Sequence, residues 1–540
     1  VTGEDVYLSA TDGYRIFIQT TAREFERDTY HLLVLVNPNA AIKGITEEGD
    51  LLSELDAVID NPAMYGSRTV GEGEDAYHEP AYFLMQNVQG LVELEPSRFY
   101  ETEERALSNP SRISLERMTA KVECNYTGEI NVRSTNVAPF GRFVMLLDYN
   151  NQLAAPWGDD YDIPEDWELL QCPVEGCGGT FNRHTKQCSN KPYIHTYDGL
   201  GLISERVRYM VATDLTWEVD VVNKKSYWLR QLTEKAGGSV METQGDSDRE
   251  NFYAEDPNFT GLPSSTTLVD NFTYITDKHF VSGDAAYSAK KLFPPDNDTY
   301  RYYNYWSWDE AEANRQPVYI PENTMSQAEQ KGDRVTRLLF RAVLKREQFG
   351  ENDTEQEPEA VATIGDFFVF KGGRKDVEDY TYNNKNYDGS TFYILRPEDM
   401  AIYASAETTD HIHIYLKEGM LEAIAAFKTA YKTATTKEFD WTTPSNNLPF
   451  VSENLSFYRN GVMYYEVPIQ HFSQAAAGGY GRFGVVRNNW YKLNVVNMIS
   501  IGEPVLPLPT TGLIEPAVRS AMPETRSSSN SLIRNQSIIF

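Results

Sequence analysis

Period-two alternation of apolar and polar residues dominates the chain. In RVTRLLFRAVLKRE, Thr336, Leu338, Phe340, Ala342 and Leu344 fall on one side and Arg337, Arg341 and Lys345 on the other, which predicts a strand. NPSRISLERMTAKVECNY (Asn109–Tyr126) alternates through Ile113 and Leu115, then resumes out of phase through Met118, Ala120 and Val122, so a half-buried strand with a bulge is expected. LTWEVDVVNKKSYWLRQL (Leu215–Leu232) predicts a strand pair around an Asn-Lys-Lys turn. TYHLLVLVNPNA (Thr29–Ala40) reads as a short buried strand closed by Asn-Pro. GDFFVFKGG, STFYILR, HIHIYLKEG and VMYYEVPIQHF supply further strands.

Helical periodicity is rarer. GDLLSELDAVIDNP places Leu51, Leu52, Leu55, Val58 and Ile59 on one helical face behind an Asp50 N-cap, with Asn61-Pro62 as the stop. A second helix is predicted where Met420, Ile424, Phe427 and Tyr431 recur along GMLEAIAAFKTAYKTAT.

Strands thus outnumber helices, and the 540 residues exceed one ordinary core. A mainly β protein of two β-sandwich-like domains with a few short helices is expected. The division runs 1–316, 317–509, and a C-terminal tail 510–540, with the crossing at PVYIPENT (Pro317–Thr324). The polar, aromatic stretch from Gly237 to Gln316 reads as loops over the first domain, since linkers seldom carry so many Tyr and Trp.

Composition sharpens this picture. Tyr (34) and Phe (25) are abundant, which favours sheets. The net charge of −30 argues against nucleic acid and anionic lipid as partners, both of which ask for clustered cations. Apolar runs such as Leu32–Val36 are far shorter than the ~20 residues that span a bilayer. With no initiator Met and no signal-type opening, Val1 reads as a processed end.

Candidate chemistry is sparse. CPVEGCGGTFNRHTKQC holds Cys172, Cys177, His184 and Cys188, but only Gly178–Arg183 separate Cys177 from His184, too few for a zinc finger. With Cys124, these cysteines fit one or two disulfides in an exported chain better than free thiols or a metal; the pairing is left open. His411 and His413 share a strand face without a recognisable third ligand. The acids of Gly158–Glu168 lack EF-hand spacing and read as a charged loop. AAAGGYGRFG carries neither a P-loop nor a dinucleotide fingerprint and reads as a turn. His471 has no nucleophile motif beside it and reads as a buried structural histidine. No catalytic, metal or cofactor site is expected.

One stretch resembles a known family. YYEVPIQHF followed by GRFGVVRNNWYKLNVVNMISIGEPVLP is similar to the C-terminal signature of Bacteroidia fimbrillins, the shaft subunits of type V pili. The matching positions are Tyr464, Tyr465, His471, Val485, Arg487, Asn488, Trp490, Tyr491, Gly502 and Pro504. YHLLVLVNPNA, NPSRISLERMTAKVE, YIPENT and RVTRLLFRAVL resemble earlier elements of the family in the same order. The length suits the larger, minor-fimbrium type of Porphyromonas subunit.

The resemblance implies two transthyretin-like sandwiches exported as a lipoprotein to the bacterial outer membrane. An Arg-specific protease would remove an N-terminal segment, and a C-terminal strand of the next copy would fill the groove it leaves. The implied partners are other copies head-to-tail, accessory anchor and tip subunits, and host or bacterial surface ligands, serving adhesion and biofilm formation. Tail residues Leu532, Ile533, Ile538, Ile539 and Phe540 would carry polymerisation. The tail departs from the family by two prolines and the break Ser527–Ser529, which leaves its register open, along with a shaft, tip or anchor position. The alternative is a surface carbohydrate-binding or fibre-tip adhesin lipoprotein, with Tyr300–Trp308 as a stacking platform.

Overall fold

A computed structural model describes mainly residues 30–126, 209–234, 252–291, 317–370, 420–471, 482–510 and 533–539, with short gaps, together with a few separate strands. The strands that build its centre are, in chain order, β1 (Thr119–Tyr126), β2 (Gly141–Val144), β3 (Tyr209–Asp220), β4 (Val318–Pro321), β5 (Arg337–Gln348), β6 (Ala360–Thr363), β7 (Phe367–Phe370), β8 (Tyr393–Leu395), β9 (Phe450–Val451), β10 (Leu455–Tyr458), β11 (Val462–Pro468), β12 (Trp490–Asn497) and β13 (Ile533–Ile539). A helix, α1 (Met420–Thr435), stands among them. The protein is mainly β, as its alternation predicts.

One sheet runs in the order β4-β1-β12-β13. Here β1 and β12 are parallel, with Val122 opposite Tyr491 and Cys124 opposite Leu493. A second sheet follows β2-β3-β5-β6, with β11 also paired to β5. A third, β8-β7-β10-β9, is covered by α1. Strands from both sides of Pro317 share the first two sheets, because β1 and β3 pair with β4, β5 and β12.

The main core lies where the first two sheets face each other. Val122, Trp217, Phe340, Val467, Tyr491 and Val495 meet there, and the last described strand contributes Ile538. The alternation of β5 explains its place: Leu338, Phe340, Ala342 and Leu344 are fully buried. Its other face is not all solvent, since Leu339 packs with Phe280 and Leu506 and Arg337 pairs with Asp220. The helix α1 lays Ile424, Phe427 and Tyr431 onto Phe368 and Phe457 of the third sheet, with Phe439 closing the cluster.

The phase change in Asn109–Tyr126 is a true break. Leu115–Arg117 pairs with Met85–Asn87, Met118 is buried at the step, and β1 begins at Thr119. TYHLLVLVNPNA forms two short strands, Tyr30–Leu32 and Leu35–Val36, ending at Asn37 in the left-handed region.

Two expectations are corrected. Val58–Asp60 is a strand paired with Lys225–Tyr227, not the end of a helix; residues 51–56 lie outside the described set. Cross-strand pairing with a distant segment outweighs a local helical pattern of so few residues. The segment around Asn-Lys-Lys is not a hairpin either. Val221 breaks the chain at φ 59°, after which Val222–Asn223 pairs with Phe272–Thr273 and Lys225–Tyr227 turns to Val58–Asp60. In the Gly237–Gln316 stretch, Ala254, Leu268, Phe272 and Phe280 are buried, so its described parts do more than cover the surface.

Candidate strand-docking site

The edge formed by β12 and β13 gathers most of the residues singled out from the sequence. It is built from the corner before β12 outward. Asn488 takes φ 62°, and Asn is among the few residues that tolerate this region. Its side-chain oxygen accepts from the Arg117 amide at 3.3 Å, and its own amide donates to Thr119 at 2.9 Å. Lys121 N–H then donates to the Asn489 carbonyl at 2.9 Å, so this corner sets β1 in parallel beside β12.

The corner is held from below by buried charge. Arg487 donates to Glu322 through Nε at 3.2 Å and through its backbone amide at 3.1 Å, and reaches the Tyr227 carbonyl at 3.2 Å. Arg230 bridges Glu322 at 3.3 Å and Glu116 at 2.9 Å. Burial alone would raise the Glu322 carboxyl, but the Arg487 and Arg230 guanidiniums outweigh it and hold it below the ordinary range. The network ties three distant segments, at Glu116, Tyr227–Arg230 and Glu322, to the start of β12.

Beside it, the Tyr491 hydroxyl accepts from the Val486 amide at 2.8 Å and shares a hydrogen bond with His471 Nδ1 at 2.7 Å. Burial pushes the Tyr491 phenol well up, so it stays neutral. His471 is therefore the buried, hydrogen-bonded histidine that the sequence suggests. Val485 pairs with Asn323 in both directions at 2.8 Å. The Lys121 and Lys492 ammonium groups each stand 3.8 Å from the Trp490 ring centroid.

Beyond β12 the chain stays pinned. Glu503 and Tyr464 exchange backbone hydrogen bonds at 2.8 Å, and Tyr458 donates to the Gly502 carbonyl at 2.6 Å. A Cβ at Gly502 would sit 2.3 Å from the Tyr464 carbonyl oxygen, so glycine is required there. Pro504 is buried beside this contact, and Tyr465 lines the main core. Arg337 donates to the Pro507 carbonyl at 2.7 Å.

The tail strand β13 then docks on β12 of the same chain, parallel, from Trp490 opposite Ile533 to Asn497 opposite Ile539. Residues 534, 536 and 538 turn inward. Ile538 enters the main core. Gln536, which an apolar pattern alone passes over, is 5% exposed and spans to the end of β11. Its Nε2 donates to the Pro468 carbonyl at 3.1 Å, and its Oε1 accepts from the Gln470 amide at 3.1 Å. Arg534 donates to Asn489 at 3.3 Å. Leu532 and Phe540 lie outside the described residues, as do the side chains of Ile533 and Ile539.

Cys124 is a free, buried thiol on β1 and not half of a disulfide, its pKa raised by burial and by Glu123. Cys172, Cys177, Cys188, His184, His411, His413, Gly158–Glu168 and Tyr300–Trp308 lie outside the described residues except for Cys188, which sits on a short strand, Gln187–Cys188. Among the described residues no cluster of three or more His, Cys, Asp or Glu is placed to hold a metal, and no helix is long and apolar enough to cross a membrane.

The arrangement is thus a sheet edge occupied by a short C-terminal strand. Residues 456–530, which span β10, β11 and β12, match the family model described as major fimbrial subunit protein type IV, fimbrillin, C-terminal. That family comprises structural, non-enzymatic subunits of cell-surface fimbriae. No curated protein matches the chain.

Proposed function

We propose that this chain is a structural subunit of a cell-surface fimbrium of the type V kind, polymerising head-to-tail through its C-terminal strand and serving adhesion and biofilm formation. The observation that carries this reading is the fimbrillin match over 456–530, the segment that contains β12 and its pinned corner. Maturation by an Arg-specific protease, export as a lipoprotein and attachment at the outer membrane belong to the same proposal, as do anchor and tip subunits and surface ligands as partners.

The physics of the joint is β-augmentation. An open sheet edge leaves N–H and C=O groups unpaired beside apolar side chains, and an incoming strand satisfies both. A contact that is heterologous does not close, so it yields filaments.

The test treats precursor with an Arg-specific protease and compares the full chain with one lacking Ser531–Phe540. Ladders on non-boiled gels and filaments by electron microscopy are expected from the first only. Filaments from both would sink the tail mechanism, and filaments from neither would sink the fimbrial reading.

A further inference from the structure

We propose that the outer face of the β4-β1-β12 sheet carries a binding strip for an acidic glycan, with the glycan's carboxylates on Lys121, Lys492 and Arg117 and its sugar rings against Tyr319 and Trp490. This deepens the surface-ligand part of the fimbrial reading above. The strip belongs to a single copy, so either can fail alone.

Alternation puts the strip on that face. Val122, Ile320 and Tyr491 point into the main core, so Lys121, Tyr319 and Trp490 point away from it. Tyr319 is opposite Lys121 across the β4–β1 ladder, and Lys121 is opposite Trp490 across the β1–β12 ladder. Ring, ammonium and ring thus follow one another across three neighbouring strands. The row continues past Tyr319 to Phe83, with ring centroids 4.5 Å apart, and to the Arg117 guanidinium, 5.4 Å from the Phe83 centroid. At the other end Lys492 brings a second ammonium to within 3.8 Å of the Trp490 centroid. Arg117 is exposed and the other five side chains are half-buried.

The charge of the strip runs against that of the chain, which carries −30. Lys121 has Glu123 at 3.5 Å, while Arg117 and Lys492 have no carboxylate partner among the described residues. Two ammonium groups on one indole repel each other, and the negative ring face offsets this only in part. An anion that bridges them relieves the repulsion and supplies the missing acceptors. The distant acids of the chain weigh little here, because charges more than about 10 Å away are screened.

Spacing selects a glycan over an acidic peptide. Neighbouring strands are about 4.8 Å apart, so ring and cation alternate at that interval, which is close to the span of one pyranose. Consecutive sugars of a uronate-bearing chain therefore meet ring, cation and ring in turn. An extended peptide repeats on one face only about every 6.7 Å and falls out of step. The flexible lysine stems let each ammonium leave the ring for a carboxylate, and the C–H face of a sugar takes its place on the negative ring face.

The test is calorimetric titration of the unpolymerised full chain with hyaluronan hexasaccharide, in which N-acetylglucosamine and glucuronate alternate. Chitohexaose, neutral and of equal length, and hexaglutamate, acidic and without rings, are the comparisons. Hyaluronan is expected to bind with a Kd at or below about 1 mM, and roughly tenfold more tightly than either comparison. Lys121→Gln and Lys492→Gln should each weaken it several-fold and leave the urea unfolding midpoint in place. Tyr319→Leu should weaken it likewise.

Absence of hyaluronan binding would overturn the proposal. Equal binding of chitohexaose would remove the cations from the site, and equal binding of hexaglutamate would make it an acidic-peptide site; each overturns the glycan assignment. Undiminished binding by all three variants would place the site elsewhere. Filament formation bears only on the fimbrial reading, so its loss with hyaluronan binding intact would sink that reading alone.

Discussion

Arg487 and Glu322 are 165 positions apart in the chain, and their side chains meet at 3.2 Å with both groups buried. Glu322 also receives Arg230, which Glu116 meets on its other side, so two carboxylates face two guanidiniums at the entry to β12. Glu322→Gln keeps the shape and removes the charge. It is expected to cost roughly 3–5 kcal/mol of stability, because buried Arg487 loses its carboxylate and Arg230 keeps only Glu116. Urea unfolding monitored by Trp fluorescence measures it, and a loss below about 1 kcal/mol would show the network to be dispensable.

The same pair carries a pH signature. Glu322 is held below its ordinary value in the fold, so its contribution is present above the unfolded pKa and is lost as pH falls through the folded one. Wild-type stability should therefore decline on acidification below about pH 4.5, and Glu322→Gln should decline less steeply there. Parallel slopes for the two chains would contradict this.

Asp256 behaves with the opposite sign. Burial raises its carboxyl from 3.8 to about 7, although Asn258, Thr324 and Asn223 all donate to it and lower it. The unfolded chain gives up this proton near pH 4 while the fold keeps it to about pH 7. Stability from this group should fall with rising pH across that window and level off above it. Asp256→Asn should flatten that slope, read as unfolding midpoints at pH 5 and pH 8.

Gly502 faces the Tyr464 carbonyl too closely for any side chain. Gly502→Ala is expected to cost about 2–3 kcal/mol by forcing the Ile501–Pro507 strap off β11. Hydrogen exchange at the Tyr464 and Glu503 amides, which bond each other's carbonyls, reports the local opening.

Within the tail, Ile538 is buried in the main core and Asn535 is exposed. Ile538→Ala should cost roughly 2–5 kcal/mol of docked-strand stability, whereas Asn535→Ala should change little. Hydrogen exchange along β13 separates them, and equal protection in both variants would show that β13 is not seated by its apolar residue.

Much of the local structure was legible in the sequence because it depends on period alone. The alternation of Leu338 to Leu344 set β5, and the spacing of Ile424, Phe427 and Tyr431 set α1. The out-of-phase step near Met118 marked the break before β1. The buried state of His471 and the clustering of Tyr464 to Pro504 were also readable, since they lie in one short stretch.

Pairing was not legible. Nothing in Val58–Asp60 points to Lys225–Tyr227, and nothing in Val222–Asn223 points to Phe272–Thr273. Periodicity tells a strand which face to bury and never names its neighbour. The seat of β13 on β12, and the part played by Gln536 in it, were likewise decided by tertiary structure. A polar residue in an apolar strand looks like a fault until the Pro468 carbonyl and Gln470 amide are beside it. The sequence by itself determined a β-rich chain with a fimbrillin-like C-terminal stretch. Only the fold decided which backbone groups face one another, because hydrogen bonds between distant strands depend on position in space and not on order along the chain.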